Sequence, residues 1–179
     1  MSIFYKSLRI GKHGKEFVLW KFRTLKENTD RTSSFAREEQ YTWCGRFLRK
    51  TKLDELPQIL NVLRGELNLV GPRAEEKKTI EFLPEDMKRV LLSRRPGLTS
   101  LASIHFFDEG QILENARDPH RTYWENIKPL KFTLDAFYIQ NRDIFLDFWI
   151  IWKTAVLVVI SLLKSANPRG SKKEIQREI

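Results

Sequence analysis

The chain has 179 residues, enough for one domain and too few for two ordinary ones. Apolar residues make up 41% and aromatic residues 12%, which excludes wholesale disorder. A single cysteine, Cys44, excludes a disulfide framework and a cysteine-based zinc site and fits a reducing compartment, while 32 Lys and Arg against 23 Asp and Glu favour an anionic partner: nucleic acid, a phosphorylated substrate or an acidic membrane face.

In chain order, residues 3–10 mix β-formers with Lys6 and Arg9. Gly11-Lys12-His13-Gly14-Lys15 is a turn signal, and EFVLWKF at 16–22 is a second strand, so a β-hairpin is predicted. The N-terminus has no apolar run of signal-peptide length, so the chain does not read as secreted. Residues 26–42 are polar and are expected to form a mobile loop beside a site. Leu56, Ile59, Leu60 and Leu63 then fall at i, i+3, i+4 and i+7, one apolar face of a helix expected over 52–64. Thr51 and Asp54 resemble a capping box, Pro57 is tolerated in a first turn, and Gly65 is a stop. A short apolar piece, 67–70, leads into Gly71-Pro72-Arg73. Pro84 opens a further helix through Ser93, and Arg94-Arg95-Pro96-Gly97 is a basic turn.

The C-terminal third has a helical pattern, first over 131–140 and then over 144–163. The second stretch is rich in Trp, Phe and Ile but is interrupted by Asp147 and Lys153. Only ten residues after Lys153 run without a charge, whereas a spanning helix needs about 20. It is therefore expected to be an interfacial helix in the headgroup plane, with Phe145, Phe148, Trp149 and Trp152 as membrane contacts. The alternative is a helix buried against the domain. The basic polar tail, 164–179, suits an anionic cytoplasmic leaflet or a solvated end. The expected architecture is α+β: a small single domain over 1–163, mainly helical, with a short N-terminal hairpin and C-terminal interfacial amphipathic helices.

The chemically suggestive feature is Leu53-Asp54-Glu55-Leu56-Pro57. Neighbours on a helix point about 100° apart, so two adjacent carboxylates cannot share one job. One is suited to attack an electrophile while the other holds a divalent cation. Unpaired N–H groups at a helix start favour a docked phosphate. Arg46, Arg49, Lys50, Lys52, Arg73, Arg94 and Arg95 stand close in sequence, and guanidinium forks grip phosphate oxygens in pairs. Carboxylates, Mg²⁺ and arginines together suit diphosphate chemistry. The plainer account is that acids in a first turn complement the helix dipole and that the arginines are solvated.

The segment GRFLRKTKLDELPQILNVLRGELNLVGPR, residues 45–73, resembles the signature of the bacterial sugar transferases, the monotopic polyprenyl-phosphate phosphoglycosyl transferases. Residues 4–26, 94–110 and 131–154 resemble the family's opening hairpin, its Pro-Gly-(Ile/Leu)-Thr segment and its closing helices. The resemblance implies transfer of a sugar phosphate from a UDP-sugar to undecaprenyl phosphate, with UMP leaving, at the cytoplasmic face of the bacterial inner membrane. It implies that Asp54 is the nucleophile of a covalent phosphosugar intermediate and that Glu55 is its partner and the Mg²⁺ ligand. Arg49 and Arg73 match positions near the phosphates, and Arg95 matches the basic residue before Pro-Gly. Asp135 and Tyr138 match a late motif whose role the residues do not give.

Two departures bear on this. Family members begin with an apolar, Pro-kinked helix that enters the inner leaflet, and MSIFYKS starts without it. Ser100-Leu101-Ala102-Ser103 stands where many members have Gly-(Leu/Trp)-Ala-Gln. The first departure motivates an alternative function: a catalytically idle, membrane-adsorbed adaptor in a glycan assembly complex. His105 is given no catalytic role. Nucleic acid is not expected as a partner, because the arginines are dispersed and no nucleic-acid motif is present.

Overall fold

A computed structural model describes residues 2–26 and 40–166. The predicted hairpin is present: β1 (Phe4–Ile10) pairs antiparallel with β2 (Glu16–Phe22), Phe4 opposite Phe22 and Ile10 opposite Glu16. Alternation along β2 turns Phe17 and Leu19 inward, where they pack with Leu67 and Ala74. The loop expected over 26–42 falls mostly outside the described residues. Its ends meet where the Thr42 N–H donates to the Thr24 carbonyl at 2.9 Å.

Helix α1 (Trp43–Lys50) starts on Thr42, whose hydroxyl accepts the Gly45 N–H at 2.9 Å. The segment after α1 corrects the expectation of one helix over 52–64. Lys52 adopts a left-handed backbone (φ 59°), a 3₁₀ turn spans Leu53–Gln58, and only Ile59–Leu63 is α-helical (α2). Pro57 has no N–H to continue an α-helical ladder, so the chain passes it in the tighter turn. The capping box is also absent. The Thr51 hydroxyl donates back to the Phe47 carbonyl at 2.7 Å and closes α1 instead. Gly65, at φ 71°, does end α2.

The packing of α2 is inverted. Leu56, Ile59, Leu60 and Leu63 are exposed, while Gln58 and Asn61 are buried. The Asn61 amide donates to the Val18 carbonyl (2.7 Å) and to Glu66 (2.6 Å), and its oxygen accepts the Trp20 N–H (3.2 Å). A fully paired buried amide therefore seats α2 on the hairpin by its polar side.

β3 (Asn68–Val70) runs parallel to β4 (Gly97–Thr99). A Cβ on Gly97 would lie 2.1 Å from the Gly71 nitrogen, so only glycine allows the Gly71-Pro72-Arg73 turn to press against Pro96-Gly97. Short helices come next along the chain: α3 (Lys77–Glu81), α4 (Glu85–Leu92), α5 (Leu101–His105) and α6 (Glu109–Glu114). A π-helical turn, Thr122–Ile127, leads into α7 (Lys128–Asn141), and α8 (Ile144–Ala166) closes the described chain. Val70, Tyr138 and Ile150 form the core that joins β3, α7 and α8.

Candidate active site

The turn between α1 and α2 points its two acids different ways. Asp54 is nearly buried, and its Oδ1 has no hydrogen-bond partner. Glu55 faces β2, with its Oε1 2.7 Å from Lys21 Nζ. Lys21, Glu55, Gln58, Arg73, Gly97 and Ser103 line one cleft. The cleft joins three parts of the chain that are distant in sequence: the hairpin, the acidic turn and the glycine-packed loops.

The surroundings treat the two acids differently. Burial pushes Asp54 above the ordinary carboxylate range, against the pull of Lys21, Arg49 and Lys52. Burial also acts on Glu55, but Lys21 and Arg73 outweigh it and hold the carboxyl down at about 2. Glu55 is thus a fixed negative charge, while Asp54 is desolvated and keeps a lone pair uncommitted. An acid of the second kind is the better nucleophile, and one of the first kind the better partner for a cation. Arg49 lies 5.2 Å above the Tyr41 ring, on the Asp54 side.

Arg73 is oriented from behind. Its backbone N–H donates to Asp135 Oδ2 at 2.9 Å. Glu55, Glu75, Glu109 and Tyr123 lie within electrostatic reach of its guanidinium. Two ion pairs support that arrangement: a buried one, Lys128 Nζ to Glu75 at 2.6 Å, and a part-buried one, Lys131 Nζ to Glu109 at 2.5 Å. Burial, reinforced by Arg73, lowers Lys131 to about 8.

Of the predicted site residues, Glu55 and Arg73 line the cleft, while Asp54 and Arg49, within electrostatic reach of each other, are not among its lining residues. Arg95 is exposed and stands at the far end of α2, where a side chain at Gly65 would come within 3.7 Å of its Nη1. Phe145, Phe148, Trp149 and Trp152 are all exposed on α8, as expected. Helix α8 is long and apolar enough to cross a membrane by length and composition, and little of it is buried. His105 is exposed and sets its ring against Phe106.

Sequence reasoning missed Lys21 and Glu109. The signal for Lys21 was its parity. It shares the inward phase of β2 with Phe17 and Leu19, where an alternating strand ordinarily places an apolar residue. Glu109 carried no comparable signal.

Among the described residues, no three His, Cys, Asp or Glu side chains gather around one point, so a cage made wholly of protein ligands is not present there. One or two carboxylates completed by substrate phosphates are the usual way Mg²⁺ is held. The ionised Glu55 fits that donor set.

Adjacent carboxylates of opposed character, close to lysine and arginine, are the donor set of an enzyme rather than of a purely structural turn. The chain belongs to the bacterial sugar transferase family, whose model matches residues 1–161. It is 37% identical over 162 residues to the uncharacterized sugar transferase EpsL of Bacillus subtilis, covering 89% of this chain and 71% of that protein. It is 31% identical over 173 residues to the undecaprenyl-phosphate galactose phosphotransferase of Salmonella typhimurium, covering 87% of this chain but 33% of that protein. The UDP-glucose:undecaprenyl-phosphate glucose-1-phosphate transferase of Xanthomonas campestris is 34% identical over 165 residues, 88% of this chain and 31% of its own length.

Proposed function

We propose that the protein transfers a sugar phosphate from a UDP-sugar to a polyprenyl phosphate, with Asp54 as nucleophile. The observation that carries this is the pairing of a desolvated, unpartnered Asp54 with an ionised Glu55 beside Lys21 and Arg73. An Asp54 oxygen attacks the phosphorus that bears the sugar. The bond from that phosphorus to the bridging oxygen breaks, and UMP leaves with the electron pair. An oxygen of the polyprenyl phosphate then attacks the same phosphorus and displaces the Asp54 carboxylate, giving a lipid-linked sugar diphosphate. Splitting the transfer in two keeps two bulky anions from having to meet at once. Arg73 and Arg49 bind and orient phosphate oxygens, and Lys21 holds Glu55 in place until the substrate arrives. Mg²⁺ held at Glu55 would offset the diphosphate charge.

The outward leucines of α2 and the aromatic face of α8 support work at a lipid surface, where the acceptor phosphate resides. The nucleotide-sugar donor places that surface on the cytoplasmic side. Helix α8 touches the domain from Asp147 to Ser161, so a spanning pose would draw the charged domain into lipid. An interfacial pose keeps it in water.

The test uses labelled UDP-sugar and undecaprenyl phosphate in vesicles. Asp54→Asn is expected to lower kcat by at least about 10³-fold. Without acceptor, the wild type is expected to gain the mass of one sugar phosphate at Asp54. Equal turnover in both proteins would remove the covalent role.

A further inference from the structure

The inner side of α8 carries a repeat that the apolar character of the helix conceals. Asp147, Thr154 and Ser161 recur every seven residues. Seven residues rise about 10.5 Å and drift only about 20° around a straight helix. The three side chains therefore form one narrow polar seam, and Ile150, with no exposure, lies within it.

Thr154 and Ser161 bond to segments that flank the candidate site, and Asp147 bonds to α7 and to Arg142. The Tyr138 hydroxyl gives its one proton to Asp147 Oδ1 at 2.5 Å, and Tyr138 lies on α7, the helix whose Asp135 accepts the Arg73 N–H at 2.9 Å. The Thr154 hydroxyl donates to the Ile150 carbonyl at 2.8 Å. Its 2.7 Å contact with Thr99 must then be one in which Thr99 donates, and Thr99 ends the strand just beyond Arg95-Pro96. The Ser161 hydroxyl donates to the Lys50 carbonyl at 2.6 Å, immediately before Thr51 and the turn that bears Asp54. Stability alone does not ask for this pattern, since apolar pairs of matching shape serve about as well at buried contacts. What directional bonds add is register: a roll of one residue, about 100°, would break all three together.

We propose that Asp147, Thr154 and Ser161 are positioning residues. Through Lys50, Thr99 and Tyr138 they hold the turn bearing Asp54–Glu55, the strand β4 and the helix α7 that carries the Asp135 acceptor of Arg73 against one helix, and so tie the reacting geometry to the way that helix lies on lipid. The inference rests on the sugar-phosphate transfer proposed above. Its scale reflects the cost of misplacing reacting groups, about 10²-fold for 1 Å.

The test compares wild type, Thr154→Val, Ser161→Ala, their double variant and the conservative Thr154→Ser. Vesicles of phosphatidylethanolamine and phosphatidylglycerol carry undecaprenyl phosphate. The double variant is expected to lose about 30-fold or more in kcat, with the donor KM and vesicle binding within about twofold of wild type, while Thr154→Ser keeps kcat within about twofold. Unchanged kcat in the double variant, or a loss matched by equal loss of vesicle binding, would overturn the proposal. A second arm does not depend on turnover. A fluorophore is placed on Val159→Cys, on the exposed side, in a Cys44→Ser background. Quenching by shallow against deep nitroxide lipids then reports the roll of α8. The double variant is expected to change that ratio at least about twofold, and an unchanged ratio overturns the seam whatever the turnover. An inactive wild type with a changed ratio would instead strike the transferase reading and leave the seam standing.

Discussion

The surroundings of Arg73 and the outer surface of α2 and α8 reverse the usual layering of a protein. Behind Arg73, Glu75, Lys128, Lys131 and Asp135 are buried. On the outside, Leu56, Ile59, Leu60, Leu63, Phe145, Phe148 and Trp152 are bare. Scattered surface leucines need no explanation, but buried charge and a long helix with an exposed aromatic side do. The difference teaches that this fold answers to two solvents. The interior charges surround Arg73, the arginine proposed above to bind phosphate, and the exterior hydrocarbon fits the lipid surface proposed there.

The comparison breaks most sharply at the buried pair. Lys128→Met removes the buried ion-pair partner of Glu75, and is expected to cost about 3–5 kcal/mol in urea unfolding. Adding Glu75→Leu should recover most of that loss. If Lys128→Met unfolds like wild type, the interior is wetter than its 5% and 7% side-chain exposures imply.

Asp135 gives the next largest effect. Burial raises its carboxyl to about 6, against the Arg73 N–H. A folded pKa above the unfolded one, about 3.9, means that the folded state binds the extra proton. The stability this contributes is complete below the unfolded pKa and is lost as pH rises through about 6. Asp135→Asn keeps an acceptor for Arg73 and removes the titration. Its stability relative to wild type should rise between about pH 4 and 6, by on the order of 2–3 kcal/mol. A difference that stays flat across that window would show that Asp135 is charged at no cost.

The smallest effect sharpens the outer half. Leu60→Ala with Leu63→Ala should leave urea stability within about 0.5 kcal/mol, because both side chains are already exposed. The same change should weaken binding to anionic vesicles about tenfold. Lost stability with unchanged vesicle binding would make the face part of the core instead.

Much of this was legible in the chain. The hairpin, the Gly71-Pro72-Arg73 turn, the Pro84 helix and the aromatic face at 145–152 all arise from local pattern, because turn residues and periodicity act over a few positions. The carboxylate dyad was legible for the same reason. The stripe at 56, 59, 60 and 63 reads as one face of a single helix but is split between a 3₁₀ turn and α2, and periodicity does not say which side holds the apolar medium. Asn61 decides that, through bonds to Val18 and Trp20 some forty positions away. Lys21 likewise meets Glu55 only once the hairpin lies over the acidic turn. The break at Lys52 came from a non-glycine residue entering left-handed space, which local propensity disfavours and tertiary contacts impose.

The contact between Gly71 and Gly97 has a mechanical consequence. With no side chains between them, the loops carrying Arg73 and Arg95 interlock backbone to backbone and behave as a single anvil. The turn that opens at the left-handed Lys52 and carries both acids lies outside that interlock and is fixed separately, by the Ser161 bond to the Lys50 carbonyl.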